Sequence, residues 1–264
     1  MKDYSIDNII NLSVAGHAST GKTMLCESIL LNAKKIRKMG SIESKTTVSD
    51  YHDYEHENQH SVSLSLLTCE YSEKKLNILD TPGYLDFHGD VKCALRVSDC
   101  ALNIISSADG VSVGNDLILD YARNEFNTPM MMVVNMCDRD QSNFNFVLNS
   151  LKENIGRIAF PVMLPVNEGE GFNQIVDILS KKMHTYKTDG SGSFDTTDLD
   201  SNWLSKADSL YEELIELIAE SDEKLLEKYF DKGELSPEDI QSGIKNAIVT
   251  KSIIPVFCIS ATQN

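Results

Sequence analysis

Residues 16–23 read Gly-His-Ala-Ser-Thr-Gly-Lys-Thr, a G-x-x-x-x-G-K-[ST] sequence set between an apolar run and a helix-like one. Ile9 to Val14 has the character of a buried strand, and Met24 to Leu31 continues as a helix. A chain that passes from strand end to helix start at glycines aims successive backbone N–H groups and the helix dipole at one point, which favours an anion. The pattern predicts a phosphate-binding loop built from His17, Ala18, Ser19, Thr20, Gly21, Lys22 and Thr23. Lys22 is placed to reach the β- and γ-phosphates of a nucleotide, and the Thr23 hydroxyl to ligate Mg²⁺.

Such a loop does not by itself choose a base or a reaction. Three further segments, in order, make the choice. Residues 76–79 form a short apolar strand that delivers Asp80-Thr81-Pro82-Gly83. A carboxylate at that strand end can hold Mg²⁺ and the Gly83 N–H can meet a γ-phosphate. Met130 to Val134 is a second apolar strand, ending in Asn135-Met136-Cys137-Asp138. This resembles the N-K-x-D guanine motif, in which a fixed carboxylate, here Asp138, accepts from N1–H and the 2-amino group of guanine. Adenine has neither donor on that edge and leaves the carboxylate unpaired, at a cost of about 1–3 kcal/mol. Asn135 would tie this turn to the phosphate loop. Ile254 to Cys258 is a third strand, leading into Ser260-Ala261, which resembles the last guanine motif, with a backbone N–H facing the base O6. A doubly wound sheet collects such loops at the carboxyl edge of its strands. The expected fold is therefore α/β, a P-loop NTPase three-layer sandwich whose mostly parallel sheet has one antiparallel edge strand. The expected ligands are GTP or GDP with Mg²⁺.

At this level of detail the chain resembles the N-terminal domain of elongation factor G. The segments that carry the resemblance include Gly16-His17, Asp80 through Phe87, Ala108 through Val111, Asn135 through Arg139 and Pro255 to Asn264. It extends through residues 158–250, where Gly171-Phe172, Val176-Asp177, Leu225 through Phe230 and Gly233-Glu234-Leu235 match. The resemblance implies a GTP-binding domain in residues 1–157 and 251–264, an inserted α+β subdomain in 158–250, and later translation-factor domains outside this chain. It implies a GTPase acting in ribosomal translocation, with the ribosome's factor-binding site and stalk protein as partners. It also places Ser61, in the effector loop from Asp50 to Val62, where the family has a Mg²⁺-ligating threonine, beside Thr23 and Asp80. A ribosome-protection factor of the tetracycline-resistance kind, a peptide-release GTPase, or a guanine-nucleotide-gated ribosome-binding protein with vestigial hydrolysis would share this domain.

Four departures bear on the chemistry. The resemblance implies a water-orienting histidine after Asp-Thr-Pro-Gly, where this chain has Tyr84. A positioned orienting group is worth roughly 10²–10⁴-fold, so Tyr84, taken with Lys22 as the catalytic pair, predicts slow hydrolysis. His88 and His60 are the nearby imidazoles that could substitute. Met136 stands for the lysine of N-K-x-D; its thioether chain can lie along a base but carries no charge, which predicts weaker nucleotide binding with base choice retained by Asp138. Ser19 stands where the family's phosphate loop often has aspartate. Ser61 itself replaces threonine with another hydroxyl.

The chain has 264 residues, enough for the nucleotide domain and its insertion. Its net charge of −16 argues against indiscriminate or sequence-specific nucleic-acid binding by this domain. Between residues 195 and 240 there are 15 acidic and 4 basic side chains, so −11 of that charge falls on the insertion. No apolar run reaches the ~20 residues that span a bilayer, and Met1 to Ser5 is no signal sequence, which together predict a cytoplasmic protein without membrane contact. The six cysteines (26, 69, 93, 100, 137, 258) show no C-x-x-C and no zinc spacing; free thiols are expected, with Cys26, Cys100 and Cys258 in the core and Cys137 packing in the guanine loop.

Periodicity predicts strands at 9–15, 62–69, 75–79, 100–106 and 130–135, the second and third forming a hairpin. Helices are expected at 22–33, from the second glycine motif to about Arg96, at 115–125 and at 141–153. Residues 38–60 read as a solvated, mobile loop, and 187–202, rich in Gly, Ser, Asp and Thr, as a flexible one. In the insertion, helices are expected through Trp203, Ala207, Leu210, Leu214 and Leu217, from a cap near Ser221-Asp222, and from Ser236-Pro237 to about Val249.

Overall fold

The computed structural model describes residues 3–263; Met1 and Lys2 of the expected leaderless start, and Asn264 at the end of the last family-like segment, lie outside them. A seven-stranded sheet runs in the order β2 (Ser65–Tyr71), β3 (Lys74–Asp80), β1 (Ile9–Gly16), β4 (Cys100–Ser106), β5 (Met130–Asn135), β11 (Ile254–Cys258), β6 (Ala159–Pro161). Every pairing in it is parallel except β2 with β3, the antiparallel edge that the hairpin pattern predicts. The sheet is thus the mostly parallel one expected, extended by β6. Residues 159–161, the start of the expected insertion at 158–250, pair with β11 at its edge.

The sheet is apolar on both faces because both are covered. On one face Val14, Ile104 and Val133 pack with Cys26 and Leu30 of α1 (Lys22–Asn32). On the other, Ala15, Ala101, Ile105, Met130 and Met132 pack with Val91 and Leu95 of α3 (His88–Val97), Ile118 of α4 (Val113–Asp120) and Phe144 and Val147 of α5 (Phe144–Ile155). The alternation along β4 sends Ile104 and Ile105 to opposite layers.

The insertion adds a four-stranded antiparallel sheet, β10 (Phe194–Asp198), β9 (Lys182–Tyr186), β8 (Gln174–Asp177) and β7 (Met163–Pro165), and three helices. These are α6 (Ser201–Glu220), α7 (Glu223–Lys232) and α8 (Pro237–Val249). Side chains of Asp200, Asp222 and Ser236 accept from the first-turn amides of the three, and Pro237 opens α8 as expected. Ala207, Leu214 and Ile218 of α6 join the same apolar cluster as Met132 and Phe144, so the insertion shares the core of the main sheet. The expected flexible loop at 187–202 is corrected here: its Thr/Phe-containing segment Phe194–Asp198 pairs with β9 along its whole length. Its polar composition reflects an exposed edge strand, which composition alone cannot distinguish from a loop. Among the described residues all six cysteines are free, and Cys100 is only half-buried.

The segment between α1 and β2 also differs from a simple solvated loop. It contains a short helix, α2 (Asp53–Asn58), and is gripped by buried carboxylates. Glu27, on α1 and 1 % exposed, accepts from the amides of Gly40 (2.7 Å) and Val48 (2.6 Å). Glu55, equally buried, accepts from the amides of Val62 (2.9 Å) and Ser63 (3.2 Å). The acidic run that reads as solvated thus turns one carboxylate inward. Hydrogen bonds to a charged acceptor are worth about 1.5–3 kcal/mol. Glu27→Ala is therefore expected to speed amide exchange at Gly40 and Val48 by at least about tenfold while the β1–β3–β4 amides stay protected.

Candidate functional site

The turn after β1 keeps the backbone shape that its glycines allow. Ser19 and Gly21 lie in the left-handed region, with φ of 62° and 85°. A Cβ on Gly16 would sit 2.5 Å from the Ile104 carbonyl of the adjacent strand, so only glycine lets β1 end there. The Lys22 ammonium turns back over the loop and donates to the His17 carbonyl at 2.8 Å, and the Thr20 hydroxyl donates to the same oxygen at 2.9 Å. The His17 imidazole points away, against Gly114 at the start of α4, so only its backbone belongs to the cleft. Gly83 closes the far wall: a Cβ there would be 2.7 Å from the Ala18 N and Cα, and closer still to the Lys22 Nζ.

Beside Lys22 a group of oxygens assembles. The Thr23 hydroxyl donates to Asp80 Oδ2 at 3.0 Å and lies 3.3 Å from Ser61 Oγ. Ser61 Oγ in turn donates to Asp50 Oδ1 at 2.7 Å. Asp80 Oδ1 is buried without a hydrogen bond of normal geometry. Burial raises the Asp80 carboxyl to about 6, against the opposing pull of the Ser49 hydroxyl, Lys22 and Thr23. Burial also lowers Lys22 to about 8, although Asp80 and Asp50 favour its charged form, and it raises Asp50 despite the Ser61 hydrogen bond. An under-satisfied carboxylate with two hydroxyls beside it is an all-oxygen donor set of the type Mg²⁺ takes. The residues present fit that ion.

At the other end of the cleft, Asn135 at the tip of β5 bonds in two directions. Its Nδ2 donates to the Thr20 carbonyl at 2.9 Å and its Oδ1 accepts from the Ala261 amide at 3.0 Å. Met136 takes the left-handed conformation (φ 67°), with its carbonyl accepting from Ser107 Oγ at 2.8 Å. Two residues on, the Asp138 carboxylate lies 3.4 Å from the Thr262 hydroxyl. Between them Cys137 is buried, its thiol raised to about 12 chiefly by that burial. Ser260 lies beside Ala261 in the same loop after β11, where its Oγ accepts from the Gln263 amide.

A cleft of about 360 Å³ is lined by Ala18, Lys22, Ser61, Gly83, Tyr84 and Met136 among others; Asp80 and Asp138 do not line it, and Ser260 and Ala261 line a neighbouring pocket of about 740 Å³ that shares Thr262 with it. Arg139 and Thr262 also line it, and sequence reasoning assigned neither a role. Asp50 and Glu27 escaped too, because their role lies in what they hold rather than in a motif. His88 does not reach the cleft wall: its ring packs edge-on to Tyr121, and burial lowers its pKa. His60 does line it, with its ring centroid 4.7 Å from that of Tyr84. Asn135→Ala would leave the buried Thr20 carbonyl and Ala261 amide unpaired, at about 1–3 kcal/mol each. Denaturant unfolding is expected to show that loss, and titration with fluorescent GTP an affinity weaker by about tenfold or more.

The profile of the elongation factor Tu GTP binding domain matches residues 7–199. A solved structure from Thermus thermophilus superposes with a TM-score of 0.90 at 27% identity, over 97% of this chain and 38% of that one. This chain thus spans well under half the length of that relative. Among the described residues no helix is long and apolar enough to cross a membrane. With the phosphate loop, the Asp80 carboxylate and the Asn135 tie gathered on one sheet edge, the chain belongs to the elongation factor Tu GTP-binding-domain family of translational GTPases.

Proposed function

We propose that this chain is the GTP-binding domain of an elongation factor G-like translation factor, which couples GTP binding and slow hydrolysis to movement on the ribosome. The observation that carries this reading is Asn135, whose two hydrogen bonds tie the phosphate loop and the Ser260-Ala261 loop to the same strand end, three residues before Asp138. Asp138 would select guanine by accepting from its N1–H and 2-amino group, and the Ala261 region would meet O6. Lys22, with the amides of residues 18–23, would balance phosphate charge. Thr23, Ser61 and Asp80 would hold Mg²⁺, which when bound neutralises charge across the β- and γ-phosphates. Gly83 gives the γ-phosphate room and a backbone donor. Met136 would lie flat on the base.

The acidic insertion, with −11 of the chain's net charge between residues 195 and 240, suits a basic or oppositely charged ribosomal partner such as the stalk protein. Opposite charge there would speed encounter in a salt-dependent way. A second reading, a guanine-nucleotide-gated ribosome-binding protein with vestigial hydrolysis, is favoured by Tyr84, which offers a phenol where an imidazole is expected from the family. Ribosome-protection and peptide-release GTPases would share this nucleotide domain.

The expected results separate these readings. Wild-type chain should bind GTP and not ATP, and Asp138→Ala should weaken GTP by about tenfold or more; equal binding of ATP and GTP by the wild type would remove the proposal. With ribosomes, the full-length protein should release phosphate more slowly than an ordinary elongation factor G, and Tyr84→His should raise the rate. Turnover at the ordinary rate would exclude slow hydrolysis, and no turnover in either form would favour the gated binding protein.

A further inference from the structure

Hydrolysis of a γ-phosphate requires little covalent chemistry from a protein and much positioning: the attacking water has to be held in line with the scissile bond. If the cleft holds GTP, such a water would stand on the side bounded by Gly83, which packs on Ala18 and Lys22 Nζ, and by Ser61, whose Oγ lies 3.3 Å from Thr23 Oγ1. Two side chains with orienting capacity flank that point: Tyr84, directly after Gly83, and His60, directly before Ser61. The sequence has six histidines, and His60 is the one imidazole lining the cleft among the described residues. His17 faces α4, His88 packs on Tyr121, His52 stacks on Tyr54, His56 Nε2 is bonded to the Asp50 carbonyl, and His184 lies on the second sheet.

The setting of the His60 ring is defined on two sides. Its Nδ1 lies 3.3 Å from the Ser61 carbonyl, and its ring lies against the Tyr84 ring, tilted by 58° with 4.7 Å between centroids. A carbonyl oxygen only accepts, so the contact is a hydrogen bond in the tautomer protonated at Nδ1, the one in which Nε2 can accept. We infer that His60 is the water-orienting residue of this site, with Tyr84 as the aromatic support that fixes its plane. The inference rests on the reading of this cleft as a GTP site.

In the step this implies, Nε2 accepts a hydrogen bond from the water and aims its oxygen lone pair at the γ-phosphorus. The bond from water oxygen to γ-phosphorus forms as the bond from that phosphorus to the β–γ bridging oxygen breaks. The bridging oxygen leaves with the electron pair as part of GDP. The water's protons end on inorganic phosphate and solvent, and His60 returns to its starting tautomer. The imidazole that the resemblance leads one to expect after Asp-Thr-Pro-Gly is replaced only in part: His60 comes from the opposite wall, on the loop that also carries Ser61, and hydrolysis stays slow. That arrangement ties water positioning to Ser61 docking at Thr23: the loop that brings the hydroxyl in brings the imidazole with it.

The test is single-turnover hydrolysis of bound GTP by the chain, with GTP affinity measured in parallel, for wild type, His60→Ala, His60→Phe and His60→Gln. His60→Phe keeps a ring against Tyr84 but has no nitrogen; His60→Gln restores a group able to orient water. Expected are GTP affinities close to wild type, a rate loss of roughly 10²-fold or more in the Ala and Phe variants, and a smaller loss in Gln. A Phe variant as fast as wild type would overturn the inference and leave the GTP site standing, as would wild type that binds GTP without hydrolysing it. Failure of the wild type to bind GTP at all would instead remove the proposed function beneath it. Should His60→Ala lose its fold, the Phe and Gln pair alone decides the matter.

Discussion

One side chain holds this site together. Asn135 ends a buried strand, and its amide is satisfied by the Thr20 carbonyl on one side and the Ala261 amide on the other. Those partners are 115 and 126 residues away in the chain. The residue is 1 % exposed, so neither bond competes with water and each is costly to lose. Because one planar group makes both, the phosphate loop and the last guanine-like loop cannot move independently. A ligand that bridges them then meets a prearranged surface rather than ordering three loops on arrival. Gly21 belongs to the same constraint: a Cβ there would collide with the Asn135 amide, so the glycine that the phosphate loop needs for its left-handed turn is also needed to let Asn135 approach.

Most of this architecture could be read from residue order because each element carried its own local signal. Apolar runs such as Met130 to Val134 announce strands covered on both faces, and the Ser236-Pro237 and Asp222 caps announce helix starts. That the loops at the ends of β1, β5 and β11 meet was legible because their residue types recur at short spacing after each strand. What was not legible has no such local cause. β10 looks like a loop because an exposed edge strand needs no apolar face, and only its pairing with β9 creates it. β6, three residues long, is a strand only by virtue of β11 beside it. Glu27 and Glu55 read as ordinary charged residues, since what buries them is backbone arriving from a loop several residues away.

Those two glutamates change the picture of the segment between α1 and β2. A segment as rich in acidic and histidine residues as Asp53 to Glu57 would repel itself if all faced water. Instead Glu55 turns inward and caps its own helix while holding residues 62 and 63. Glu27 does the same for residues 40 and 48 from the helix that carries Lys22 and Thr23. The loop is thereby fastened to the nucleotide-binding helix through its backbone amides, whatever its outward side chains are. Ser61 and His60 line the cleft from that fastened loop.

The electrostatics of the cleft follow from the same geometry. Asp80 ends β3 deep enough for burial to push its carboxyl to about 6, and Lys22 is buried enough to fall to about 8. Each is held away from its ordinary value by desolvation, and their mutual attraction only partly restores it. A nucleotide site of this kind keeps both groups under-satisfied: Lys22 donates to a backbone carbonyl rather than a carboxylate, and Asp80 leaves one oxygen without a well-formed hydrogen bond. A cation set against Asp80 and an anion set against Lys22 would relieve both costs together, whereas either alone would relieve one. The site therefore favours a ligand that brings both charges at fixed separation, as a metal-bound di- or triphosphate does. Such a ligand would stabilise the fold by mass action, and because Thr23 and Ser61 belong to the same oxygen cluster, it would also hold the loop from α1 to β2 in the position seen here.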